Sequence, residues 1–88
     1  MRIKCFTDSG WEDYLWIQKN SKPDLKRLNK LINIIARTPF DGIGKPEPLH
    51  GEMNGYWSRR VNDRDRIVYT VTESEIIIIA CRTHYGQR

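Results

Sequence analysis

The sequence predicts one α+β domain in which two N-terminal helices pack on one face of a mainly antiparallel sheet. Three observations carry that expectation: a short apolar strand opens the chain, two stretches with helical periodicity follow, and three strand-like segments separated by polar turns come last. At 88 residues there is room for a single core, so residues 1–88 read as one domain. A domain this small buries roughly 60–65% of its unfolded surface.

Arg2 to Phe6 reads as the first strand. Ser9 with Glu12 makes a capping box, which would open a helix carrying Trp11, Tyr14 and Leu15 on one face and fading near Asn20. Ser21 is the next cap. Pro23 is tolerated in a first turn, and Leu25, Leu28, Leu31, Ile32 and Ile35 recur at helical spacing. The second helix stops before Thr38, because Pro39 restrains the backbone ahead of it. From Pro39 to Gly55 the chain is rich in glycine and proline and has little periodicity. Connections of that length inside a small domain are usually functional or disordered.

The segments Tyr56 to Val61, Arg66 to Val71 and Ile76 to Arg82 read as an antiparallel meander. Trp57 and Val61 alternate with Tyr56, Ser58 and Arg60; Ile67, Tyr69 and Val71 alternate with Arg66, Val68 and Thr70. Turning both apolar sets towards the helices forces Arg60 and Arg66 onto the opposite face, close across the hairpin. A one-residue slip would invert one strand. Arg59 then falls on the core side and must lie at a sheet margin or find a partner. The run Ile76 to Ile79 is apolar on both faces, as befits a central strand with the first strand on its free side.

The formal net charge is +4, which favours a polyanionic partner such as nucleic acid. Its distribution says more. From Tyr56 onward there are arginines (Arg59, Arg60, Arg64, Arg66, Arg82, Arg88) and no lysine. Arginine's planar fork of donors fits phosphate oxygens, whereas lysine is a solvated point charge. No long apolar run and no leader pattern occurs, so a soluble cytoplasmic protein without membrane contact is expected. Cys5 and Cys81 fall in strands and read as buried free thiols. The ligand spacings of a zinc site, a nucleophile elbow and a phosphate-binding glycine loop are missing, so no cofactor or metal is expected.

Glu47 lies between Pro46 and Pro48, which restrict its backbone and push it towards an extended conformation. Read alone, it fits an ordinary solvated turn residue as well as a general base. Arg60 and Arg66 fit a surface pair satisfied by Asp63 and Asp65 as well as a phosphate site, although like charges directly opposite favour an anion between them. His84 and Tyr85 follow the last strand and fit either a frayed tail or an imidazole and a phenol held at the end of a rigid element.

The blocks TPFDGIGKPEPL, GYWSRRVNDRDRIVYTV and IIIIACRTHY, in that order, together with Trp-x-x-Tyr in the first helix, closely resemble the YoeB (Txe) branch of the RelE-type bacterial toxins. The resemblance covers essentially the whole chain. It implies a RelE-like microbial ribonuclease fold with a four- to five-stranded sheet, the additional short strand lying near Pro48 to His50. It also implies a toxin of a type II toxin-antitoxin system that cleaves translated mRNA in the ribosomal A site. By the same resemblance Glu47 matches the general base, Arg66 the phosphate-stabilising arginine, His84 the general acid and Tyr85 the terminal aromatic that shapes the site. Arg60 matches a further substrate contact, with Arg59, Lys45 and His50 completing the candidate substrate-binding set. His50 departs from the family, where lysine is frequent.

Metal-free RNA cleavage needs a base for the 2′-hydroxyl, cations for the phosphorane-like charge and an acid for the departing 5′-oxygen. Glu47, Arg60 with Arg66, and His84 supply those three. The implied partners are the ribosome, mRNA, and an antitoxin of YefM/Axe type whose acidic C-terminal segment covers the basic face; a homodimer is also compatible. Two other classes compete: a non-nucleolytic toxin of the same fold, like the ParE gyrase inhibitors, and a plain RNA-binding module.

Overall fold

The computed structural model describes residues 1–83, with Thr83 described by its backbone alone. The elements are β1 (Ile3–Phe6), α1 (Asp8–Asn20), α2 (Lys22–Arg37), β2 (Glu47–Pro48), β3 (Tyr56–Arg60), β4 (Arg66–Val71) and β5 (Glu75–Thr83), with a 3-10 turn at Gly51–Met53. The strands form one sheet in the order β1-β5-β4-β3-β2. β1 runs parallel to β5, on its free side as the isoleucine run predicts, and the remaining pairings are antiparallel. The expected fifth strand is present, but it spans Glu47–Pro48 rather than Pro48 to His50.

Both helices pack on one face of the sheet. Ile17 of α1 and Leu28, Leu31, Ile32 and Ile35 of α2 meet Ile67, Tyr69, Ile76, Ile78 and Cys81. Burying a large aliphatic side chain contributes about 1.5–3 kcal/mol, so these positions hold the domain together. Ser21 serves both helices: its N–H donates to the Ile17 carbonyl of α1, and its Oγ accepts the Asp24 N–H of α2 at 3.4 Å.

The first helix departs from its sequence reading. Thr7, not Ser9, is the cap, and its Oγ1 accepts the Gly10 N–H at 3.2 Å. The reason is tertiary: the Thr7 N–H donates to the Ile78 carbonyl of β5 at 3.0 Å, so the chain is held to the sheet until it turns into the helix. The buried stripe is consequently Gly10 and Ile17 with half-buried Asp13 and Tyr14, while Trp11 and Leu15 are 47% and 42% exposed. Trp11 lies flat on Tyr14, and both meet Phe6 edge-on.

The hairpin register is the predicted one. Trp57 pairs with Tyr69 and Arg59 with Ile67 on the helix side, while Ser58 pairs with Val68 and Arg60 with Arg66 on the other. β5 is less regular, with register shifts against β4 between Arg66 and Val68 and between Val68 and Tyr69. The backbone amides of Cys81 and Arg82 there both donate to one Asp13 carboxylate oxygen, at 2.9 and 3.3 Å. The Arg82 guanidinium lies 3.6 Å from the centre of the Trp16 ring. Arg82 therefore belongs to the helix side, and Thr83 is brought opposite Arg66. Among the described residues no helix is long and apolar enough to cross a membrane.

Cys5 and Cys81 are free thiols. Burial, reinforced by Asp13, pushes the Cys81 thiol from 9.0 up to about 12. The folded state thus keeps a proton that the unfolded chain releases above pH 9. Stability is fully present below that pH and falls as pH rises towards 12. Urea titrations across this window should show a declining midpoint, and Cys81→Ala should flatten part of the decline. An equal slope in both proteins would contradict the assignment. Tyr69 supplies a separate share, since burial raises its hydroxyl while Arg59 acts in the opposite direction.

Candidate functional site

The face of the sheet turned away from the helices carries the candidate site. β2 positions Glu47 by pairing it with Ser58, and β4 positions Arg66 by pairing it with Arg60. Arg66 crosses towards β2. Its Nε donates to Ser58 Oγ at 2.8 Å, and its Nη2 donates to the Lys45 carbonyl at 3.1 Å and lies 3.9 Å from Glu47 Oε2. The guanidinium is oriented by neutral acceptors and leans on a carboxylate that is two-thirds exposed. At that distance, and with its carboxylate so exposed, the pair adds at most about 1 kcal/mol, so its significance is placement rather than stability.

Arg60, exposed and directly opposite Arg66, adds a second cation to the same face. The turn between the two strands does not supply their counter-charge in the expected way. Asp65 is buried, pairs with Arg64 at 3.7 Å and accepts from Asn62 Nδ2. Arg66 instead takes Glu47.

Lys45 contributes its carbonyl to this arrangement, while its side chain is exposed and its φ of +53° lies in the left-handed region. Proline at the next position disfavours the right-handed helical conformation for Lys45, and the left-handed turn aims the carbonyl at Arg66. His50 is exposed, three residues past Glu47 at the start of the 3-10 turn. His84 and Tyr85 lie outside the described residues.

One expectation is corrected. Arg59 is wholly buried and is not on the surface where substrate would lie. Its Nε donates to the Tyr69 hydroxyl at 3.1 Å, Nη1 to the Ile43 carbonyl at 3.2 Å, and Nη2 to the carbonyls of Thr38 and Asp41 at 2.6 and 2.9 Å. A cation on the core side requires partners, and the loop after α2 folds around it to provide them.

Ser58 was missed from sequence, although its alternation with Arg60 already put it on the right face. Tyr69 was missed because it reads as an ordinary core aromatic. Among the described residues no group of three or more His, Cys, Asp and Glu side chains converges as a metal site. What the face offers chemically is a carboxylate able to accept a proton beside two guanidinium groups able to hold a phosphate.

The family model for the YoeB-like toxin of bacterial type II toxin-antitoxin systems matches residues 6–85. The chain is 59% identical to the toxin YoeB of Synechocystis over 81 residues, covering 92% of this chain and 94% of that protein. It is 46% identical to the toxin YoeB of Escherichia coli K12, covering 91% and 95%. Among solved structures, a YoeB/ParE toxin from Agrobacterium tumefaciens superposes with a TM-score of 0.90 at 45% identity, covering 97% of this chain and all of that one. A YoeB dimer and a YoeB–YefM complex from Staphylococcus aureus give 0.89 and 0.86, each at 41% identity and covering 96–99% of the chains compared.

Proposed function

The chain belongs to the YoeB-like toxins of bacterial type II toxin-antitoxin systems, and from that premise we propose that it is a ribosome-dependent endoribonuclease that cleaves translated mRNA in the A site. The observation that supports this most is the contact between Glu47 and Arg66 on an exposed sheet face, with Arg60 opposite Arg66. Glu47 takes the proton of the 2′-hydroxyl, whose oxygen attacks the adjacent phosphorus. Arg66 and Arg60 stabilise the charge that builds on the phosphoryl oxygens. The bond from phosphorus to the 5′-oxygen breaks, and His84 protonates that oxygen. The products are a 2′,3′-cyclic phosphate and a 5′-hydroxyl fragment. Tyr85 shapes the acid side of the site, and Lys45 and His50 add polar contacts to the message. The scheme calls on no metal.

Action on translating ribosomes places the protein in the cytoplasm. The Staphylococcus aureus relative is solved with YefM and also as a dimer; for this chain we assign a YefM-like antitoxin, with an acidic segment covering the arginine face, and a homodimer as a compatible state. Primer extension on a translated message tests the reading. New 5′-hydroxyl ends should appear on expression of the wild type and vanish with His84→Ala or Glu47→Ala. Growth arrest undiminished in both variants, accompanied by DNA damage, would instead point to gyrase.

A further inference from the structure

Arg59 is the largest wholly buried side chain of the described residues, and the bonds the structure gives it go to Tyr69 and to main-chain carbonyls. Those carbonyls, of Thr38, Asp41 and Ile43, belong to the stretch that leaves α2 and leads to Glu47. Thr38 caps the C-terminal end of α2, where a cation is favoured by the helix dipole. The Tyr69 hydroxyl, while accepting from Arg59, donates to the Pro39 carbonyl at 2.7 Å. Four main-chain carbonyls of the loop, those of Thr38, Pro39, Asp41 and Ile43, are thus tied to two side chains of neighbouring strands.

The fit is close. A Cβ at Gly42 would come within 3.1 Å of Arg59 Nη1, and one at Gly44 within 3.2 Å of Arg59 Cβ and 3.0 Å of Leu31. Both glycines also have positive φ, at +119° and +86°. The loop therefore wraps the arginine with glycine at its contact points. Its far end is fixed by the Arg60 N–H donating to the Gly44 carbonyl at 2.7 Å. The next residue, Lys45, offers the carbonyl that receives Arg66, and two residues on stands Glu47.

We infer that Arg59 and Tyr69 form a clasp that positions the Thr38–Lys45 arm, and through it sets the orientation of Arg66 and the placement of Glu47; both are positioning residues that never touch substrate. The inference rests on the nuclease reading above. Lysine cannot replace Arg59, because an ammonium lacks the planar fork that reaches the hydroxyl and three carbonyls at once. Phenylalanine at position 69 keeps the core shape and deletes only the hydroxyl.

The test compares Arg59→Lys, Tyr69→Phe and Glu47→Ala in single-turnover cleavage of mRNA on programmed ribosomes, alongside NMR of the Arg66 Nε–H in the free protein. A purely structural role would reduce the fraction of active enzyme, lowering amplitude and leaving the rate constant alone. Positioning lowers the rate constant at saturating ribosomes with half-saturation unchanged. The expected loss is about 100-fold for Arg59→Lys and about tenfold for Tyr69→Phe, the scale of an ångström-sized misplacement. The Arg66 Nε–H should also exchange faster in both. Wild-type rate constants and unchanged Arg66 exchange in both variants, with Glu47→Ala inactive, would overturn the clasp. No cleavage by the wild-type protein would overturn the nuclease reading instead, and full activity in Glu47→Ala would overturn only the role of Glu47 as its base.

Discussion

Arg66→Lys is expected to slow cleavage of ribosome-bound message by about 10²–10³-fold, the cost of removing one preorganised donor at a developing negative charge. Arg66 is oriented by Ser58 Oγ and the Lys45 carbonyl, so its remaining donors are presented without reorganisation. Lysine keeps the charge but cannot meet both acceptors and still offer a second edge to phosphate. Glu47→Gln should fall by about 10²–10⁴-fold for loss of the base. The double variant should lose much less than the product of the two, because both groups act in one step. The fold should be insensitive to Glu47→Gln, since that carboxylate is two-thirds exposed, whereas Arg66→Lys also gives up the bond to the buried Ser58 hydroxyl and should cost about 1 kcal/mol. Single-turnover kinetics with saturating ribosomes, with urea midpoints as a control, provide the check. Rates within threefold of wild type for Arg66→Lys would remove Arg66 from the chemistry.

Gly10→Ala should be strongly damaging, costing about 3–5 kcal/mol. Glycine inside a helix is ordinarily a liability, and alanine there stabilises by about 1 kcal/mol. The sign reverses here because α1 lies directly on β5. A Cβ at Gly10 would overlap the Ile78 carbonyl oxygen and stand 3.0 Å from its carbon, and both are backbone atoms that no rotamer change can move. Neither element can retreat easily. Thr7 bonds β5 on one side of the contact and Asp13 holds Cys81 and Arg82 on the other. Against a total stability of about 5–15 kcal/mol, that removes between a fifth and the whole of the margin. Ser9→Ala, on the exposed side of the same turn, should change stability by less than about 0.5 kcal/mol. Parallel urea titrations would show the contrast, and equal midpoints would contradict the close packing.

Much of the arrangement is legible in local sequence pattern. The second helix has its cap, its proline and its apolar stripe in consecutive residues, so local pattern sufficed for Ser21 through Arg37. The same is true of the hairpin, where alternation at period two fixed Arg60 opposite Arg66. The first helix was harder. Spacing puts Trp11, Tyr14 and Leu15 on one face, whereas the side that packs is built around a glycine whose lack of a side chain is its qualification. Thr7 is a cap type in its own right, but Ser9 with Glu12 offers the fuller local signal, and the bond that decides between them runs to Ile78, far along the chain.

The sequence by itself determined the family, the two-helix and sheet architecture, and which residues of β3 and β4 share a face, because each of these rests on repeats of two to four residues or on short motifs. Tertiary structure alone decided that Glu47 reaches Arg66, that Ser58 and the Lys45 carbonyl aim it, and that Arg59 is buried among loop carbonyls rather than exposed on the site's face. Those contacts join residues 8 to 21 positions apart through a loop whose path depends on positive φ at Gly42, Gly44 and Lys45. Period and propensity carry no information about such a path. It is set by the buried guanidinium, which must satisfy its donors in the core and draws the loop's carbonyls around it to do so.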